Sequence, residues 1–348
     1  MATCERFAVA AYLPAGKQLV IDHRPFAVSR YRPLPSLTTS RCRYRPLAVS
    51  RYRPLEVFLN MPVTTACITG GEIHRQWQAG IIRGELLGPR DTPFGPSGDL
   101  FLADSEDVQY YLLARYGMGM DKTAPFGVNN RANIYALKDL GVQTVLAWGS
   151  GAAITHTMAV GDIVVLSDVI DRTHLREVTF FADSPLGFLR QFPVFCPALK
   201  RIVGGVLHDM RLIYHGSGTA AITEGPRMET PAEVQTLAAQ GAEIVTHTFA
   251  PEMFLARELQ MCYAAICYVL DYAEAGSRQP PLGGALFESM KPQSRTERLA
   301  GVVESLGQIV ANVAVSAAEV AASCQCRQIQ SNHIEQYDLS DDWRQWFK

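Results

Sequence analysis

The chain has 348 residues, 48 % of them hydrophobic, enough for one large domain with a packed core or for two small ones. Its formal charge of −2 is unevenly spread: residues 1–60 hold ten Lys and Arg against three Asp and Glu, and the remainder holds 22 against 31. An acidic body argues against nucleic acid as a partner, and without a run of about 18 apolar residues no membrane span is expected.

The first sixty residues stand apart. AVSRYRPL occupies 27–34 and again 48–55, and RYRPL recurs at 43–47. Short, basic, proline-containing repeats cannot bury an apolar face, so 1–60 reads as a disordered extension that need not be native, with Met61 as the natural start. A basic tail for an acidic partner is the functional alternative. The order of residues here is not that of a signal peptide.

After Met61, VTTACIT (63–69) is a β-rich apolar run leading to Gly70 and Gly71. Strands are expected near 99–104 and 109–114, the second running into Arg115. Residues 131–140 have helical spacing, with Ile134, Leu137 and Leu140 on one face. VQTVLAW (142–148) reads as a buried strand before GSGAA, and GDIVVLSDVI (161–170) as another. A helix near 196–209, a strand near 211–214, a helix at 231–240, the strand EIVTHT (243–248), a helix from about 251 and a strand at 262–270 follow. The stretch 293–322 carries apolar residues at helical spacing.

Strands alternating with helices predict an α/β fold: a single domain, 61–322, with a central mixed β-sheet flanked by helices, then a tail, 323–348, read as a frayed terminus. Ligands of such folds gather at the carboxyl ends of strands. Arg115, Gly149 with Ser150, Thr248 and Asp271 all fall there, and an arginine just after a strand suits an anion. The eight cysteines are scattered, with Cys67, Cys262 and Cys267 in strand-like runs, and read as reduced thiols of a cytoplasmic protein. Cys324 and Cys326 form a C-x-C with no second ligand pair near it, so they read as two unrelated thiols and no metal is expected. Walker, dinucleotide and G-x-S-x-G signatures are missing.

Four segments carry more. EGPRMETPAE (224–233), VNNRANIYALKDLG (128–141), GDIVVLSDVIDRT (161–173) and APE (250–252), in this order along the chain except that the first follows the next two, resemble the methylthioadenosine phosphorylase and purine nucleoside phosphorylase family over about 62–315. The resemblance implies one α/β domain, usually a homotrimer whose active site a neighbouring subunit helps complete. It implies phosphorolysis: phosphate, a co-substrate rather than a cofactor, attacks the anomeric carbon of a purine nucleoside and the base departs. The protein must then hold a dianion and the ribose hydroxyls, and must donate a proton toward N7 of the base.

The family's positions fall on named residues here. For the base it implies Asp271, as proton donor to N7 or acceptor for a 6-amino group, with Met228 where the family stacks a Phe. For the sugar it implies His247, where the family has Met. For phosphate it implies Arg115 and Thr248, with Ser150 offering its backbone N–H. Other phosphate positions depart from the pattern. Gly71 or Glu72 stands where a hydroxyl is expected, Tyr116 replaces a His, Gly149 replaces a Thr and follows the bulky Trp148, and Asp121 replaces a loop His. Each lost donor to a charged ligand costs roughly 1.5–3 kcal/mol. Three readings therefore follow: a phosphorylase of methylthioadenosine or a related 5′-modified nucleoside, a hydrolase or other glycosyl transferase on the same scaffold in which Glu72 or His247 activates water, and a non-catalytic nucleoside-binding protein.

Overall fold

The computed structural model describes residues 62–105, 108–117, 123–273, 297–317 and 324–347. In chain order it contains β1 (Thr65–Thr69), α1 (Glu72–Gln78), β2 (Arg83–Gly88), β3 (Asp91–Thr92), β4 (Gly95–Pro96), β5 (Leu100–Ser105) and β6 (Val108–Ala114). Then come α2 (Asn130–Asp139), β7 (Thr144–Ala153), β8 (Ile163–Val165), β9 (Asp168–Asp171), α3 (Pro197–Asp209), β10 (Tyr214–His215) and β11 (Thr219–Ile222). The series closes with α4 (Pro231–Ala239), β12 (Ile244–Thr246), α5 (Glu252–Glu258), β13 (Cys262–Tyr272), α6 (Glu297–Glu304), α7 (Leu306–Ala317) and α8 (Ser331–Gln336). The extension 1–60 and Asp121 lie outside the described residues.

The expected α/β fold with a central mixed sheet is what forms. Strand order is β10-β8-β13-β7-β1-β6-β5-β2. The inner four, β13, β7, β1 and β6, run parallel and are buried along most of their length. Both faces are covered, so these strands read as continuous apolar runs rather than alternating ones. Ile68, Leu113, Val145 and Ala265 meet α2 and α5 on one face; Cys67, Leu112, Leu146 and Ile266 meet α3, α6 and α7 on the other. β7 is long enough to serve two rows. Its first half pairs with β1 and β13, and its last residues, Ala152 and Ala153, pair antiparallel with β12, which continues through β11 to β9.

Several expectations are corrected. GDIVVLSDVI splits at Leu166–Ser167, because β8 pairs with β13 while β9 crosses to β11. Within the 293–322 stretch the described residues, 297–317, form two helices, α6 and α7, bent by 41° at Ser305. Among the described residues no single helix is long and apolar enough to cross a membrane. β2 and β11 escaped the sequence reading: β2 is an exposed edge strand without alternation, and β11 is TAAI. The tail does not fray. Phe347 stacks on Phe181 at 5.3 Å and meets Phe94, Tyr135 and Phe180, Trp343 meets Tyr135 at 4.9 Å, and Trp346 is 6 % exposed.

Candidate active site

The carboxyl ends of β1 and β6 and the middle of β7 meet at Arg115; Gly149 and Ser150, expected after that strand, lie inside it, because β7 runs on to Ala153 to pair with β12. Its backbone N–H bonds the Thr69 carbonyl at 2.9 Å, which ties the end of β6 to the end of β1. Its side chain is almost fully buried. Nε and Nη2 form a fork with the two carboxylate oxygens of Glu252, and Nη1 donates to the Trp148 carbonyl on β7 at 3.2 Å. Glu252, the first residue of α5, also accepts from the Tyr263 hydroxyl at 2.7 Å. Burial works against the Arg115 charge, and Glu252 more than offsets it, holding the guanidinium above its ordinary range. The predicted anion-binding arginine is therefore cationic, but three of its five N–H donors are engaged.

Thr248 comes to the same place. Its hydroxyl is hydrogen-bonded with that of Thr246 at 2.8 Å, and the Thr246 hydroxyl donates to the Ser150 carbonyl at 2.7 Å. Gly149 lies directly against it: a Cβ there would sit 2.6 Å from Thr248 Oγ1 and 2.9 Å from the Phe249 ring. The missing side chain at 149 is therefore a packing requirement of this chain. Phe249 occupies the space, with a backbone φ of 78° and its ring 5.9 Å from the Arg115 guanidinium carbon. Tyr116 contributes a second ring at 5.8 Å, and burial pushes its phenol up to about 12 although the Arg115 charge pulls it down.

The β1–α1 turn is where the site departs most from an anion cradle. Gly71 precedes α1, and Glu72 begins it rather than sitting in a donor loop. The Glu72 carboxylate folds back over Gly70, its Oε2 2.6 Å from where a Cβ would stand. Oε1 accepts from the Tyr268 hydroxyl, and burial, then the neighbouring Glu72, raises that phenol well above its ordinary value. Oε2 is buried without a hydrogen-bond partner, as is the Thr69 hydroxyl. Two carboxyl groups, Glu72 and Glu252, thus stand about the one Arg115 guanidinium, a poor setting for a dianion.

His247 belongs to a second group. Its Nε2 lies 3.2 Å from Glu229 Oε1, and Glu229 also accepts from the Thr223 hydroxyl. Burial raises the Glu229 carboxyl, but bonds from His247, Thr223 and its own backbone outweigh this and hold it below the usual carboxylate range. Gly225, at φ 64°, gives the ring its room, since a Cβ there would lie 2.7 Å from Nδ1. Met228, on the same loop, is 45 % exposed. Asp271 stands at the end of β13 beside Ala152, after a register shift past Val269, and accepts from the Tyr272 N–H at 2.8 Å. Met228 and Asp271 thus sit at the rim, apart from the buried Arg115 cluster.

The EGPRMETPAE stretch is largely loop architecture. Glu224 accepts from the backbone of His174 and Leu175 and from Arg176 Nε, while Arg176 also reaches the Ala250, Thr223 and Glu224 carbonyls. Arg227 pairs with Glu233, and Thr230 with Glu233 forms the capping box of α4. A cavity of about 570 Å³ beside this loop is lined by Arg172, His174, Glu224, Arg227 and Glu229 among others, and by none of the predicted phosphate residues. Glu252, Phe249, Tyr268 and Arg176 were not singled out from sequence. Only Glu252 carried a signal, a carboxylate in the APE segment at the head of a buried helix.

A sequence profile described as the phosphorylase superfamily matches residues 88–306. Over 216 residues the chain is 35 % identical to a probable 6-oxopurine nucleoside phosphorylase of Thermococcus kodakarensis, covering 60 % of this chain and 80 % of that one. Over 182 residues it is 37 % identical to an S-methyl-5′-thioadenosine phosphorylase of Pyrococcus furiosus, covering 52 % and 70 %. Among solved structures, the methylthioadenosine phosphorylase of Schistosoma mansoni in complex with adenine is 28 % identical with a TM-score of 0.61, over 76 % of this chain and 99 % of that one. With its sheet order, its EGPR loop and this match over most of the body, the chain belongs to the phosphorylase superfamily.

Proposed function

We propose that the protein is a purine nucleoside phosphorylase acting on 5′-methylthioadenosine or a related 5′-modified purine nucleoside, with phosphate as co-substrate and no other cofactor in the reaction. The observation that carries this reading is the convergence of Arg115 and Thr248 at adjoining strand ends, in a chain whose relatives are named for this chemistry. Phosphate is held by the two remaining Arg115 N–H donors, the Thr248 hydroxyl once it turns from Thr246, the backbone at Gly149, Ser150 and Gly71, and Tyr116. His247, oriented by Glu229, meets the ribose hydroxyls. Asp271 gives its proton toward N7 as the glycosidic bond lengthens, and Met228 packs on the base. The exposed apolar Leu175, Phe188 and Phe192, at 70 %, 83 % and 90 %, are in keeping with a homotrimer whose neighbouring subunits cover such residues.

A second reading, hydrolysis, is favoured by one feature: the buried Oε2 of Glu72, a carboxylate oxygen without a hydrogen-bond partner and so able to act as a base. Incubating the protein with methylthioadenosine, with and without phosphate, and separating the products decides between them. Adenine with a sugar 1-phosphate, formed only when phosphate is present, is the expected result. Adenine with free sugar in both tubes would establish the hydrolase.

A further inference from the structure

Four cysteines from three distant parts of the chain meet at one point. Cys196 is the residue before α3, Cys262 is the first residue of β13, and Cys324 and Cys326 come from the tail. Their Sγ atoms all lie within 4.8 Å of one another, and those of Cys262 and Cys324 are 3.3 Å apart. All four are free thiols. This overturns the expectation that Cys324 and Cys326 are unrelated: their second ligand pair lies 62 residues or more away in sequence and adjacent in the fold.

The backbone fixes this meeting independently of the thiols. Cys196 N–H donates to the Tyr263 carbonyl at 2.9 Å, which sets the start of α3 beside the start of β13. Cys262 N–H donates to the Gln143 carbonyl at 2.9 Å, and the Gln143 side chain accepts from Arg327, next to Cys326. Gln330, fully buried, donates to the Leu186 and Glu258 carbonyls and anchors the tail just beyond. Disulfides would join the sulfurs two by two at about 2.0 Å. A zinc–thiolate bond of about 2.3 Å instead gives a tetrahedron with edges of about 3.8 Å, close to the spacing found.

We propose that Cys196, Cys262, Cys324 and Cys326 bind one Zn²⁺ as a closed tetrathiolate site. Binding releases the four thiol protons to solvent and leaves the ion with its ligands at a net charge of −2. Arg257 is placed to offset it. Its charge interacts with Cys326 and Cys196, its Nη1 is held by the Pro193 carbonyl at 2.8 Å, and its Nε is buried without a hydrogen-bond partner. With four protein ligands the ion has no open position, and none of the four belongs to the candidate active site, so the role is structural. The ion pins the tail, whose aromatic residues cover Phe94, Phe180 and Phe181, to the start of β13.

The test is the metal content of the untagged full chain, purified under reductant with zinc in the medium, beside the Cys326→Ser variant. The expected result is one zinc per chain, falling at least tenfold in Cys326→Ser. Replacing zinc with Co²⁺ should give the thiolate charge-transfer and strong d–d absorption of tetrahedral sulfur ligation, and faster proteolysis of the tail should accompany loss of the metal. Cobalt bands in the wild-type protein keep the test independent of whether the variant folds. A metal-free protein whose four thiols all react with iodoacetamide after denaturation would overturn the site, and so would a metal-free protein whose mass shows two disulfides.

Discussion

Arg115 is the residue on which the proposed reaction turns, and its buried pair with Glu252 makes it structural as well. Removing one member of a buried ion pair leaves the other unpaired, at a cost of about 3–5 kcal/mol. Arg115→Met should therefore lower stability by that order, read from the denaturant midpoint, as well as abolish phosphate dependence. Thr248→Ala removes one donor to a dianion without breaking the pair. It should raise the KM for phosphate roughly 10-fold with little change in stability. A third residue gives a pH signature away from the chemistry. Burial raises the Glu258 carboxyl to about 7, although the Thr179 hydroxyl and Phe180 N–H donate to it. A carboxyl raised on folding favours the protonated native state. Its contribution is thus fully present below the unfolded value of 4.5 and is lost as pH rises through about 7. Thermal unfolding between pH 5 and 8 should show this decline, worth up to about 3 kcal/mol, and Glu258→Gln should flatten it.

At the scale of elements, the EGPR loop explains why so much of the family pattern could be read from sequence and so little of the chemistry. Its residues are specific because each fixes one contact of the loop. Glu224 caps the 174–176 turn, Gly225 admits the His247 ring, and Thr230 with Glu233 starts α4. Only the capping box, three residues apart, is short-range; the rest was legible as a run of residues, not as the contacts it makes. Gly225→Ala should be costly on both counts, since φ is 64° and the added carbon meets His247; nucleoside KM should rise with little change in the KM for phosphate. Although Gly149 and Ser150 lie inside β7 rather than after it, Arg115 and Asp271 were legible as the polar residues that close the buried runs β6 and β13. The roles of Glu252, Tyr268 and Phe249 were not. Each acts through a partner in a distant segment, as Tyr268 does on Glu72 from 196 residues away, and no spacing rule brings those together.

Over the whole molecule, the tail shows the same limit. Its acidic-then-aromatic order gave no sign that Phe347, Trp343 and Trp346 fill a seat beside α2 and the Phe180–Phe181 turn. Trp346→Ala should cost about 3–5 kcal/mol, the usual penalty for emptying a buried tryptophan site, and calorimetry should show the lower Tm. The central question at this scale is whether the pocket around Arg115, facing both Glu72 and Glu252, still takes phosphate as the attacking group. The most direct measurement is the rate of adenine release from methylthioadenosine across a phosphate titration, for the wild type and for Glu72→Gln. The account predicts saturable phosphate dependence in the wild type and a KM for phosphate about 10-fold lower in Glu72→Gln, as a repelling carboxylate is removed. Release that ignores phosphate and disappears in Glu72→Gln would contradict it.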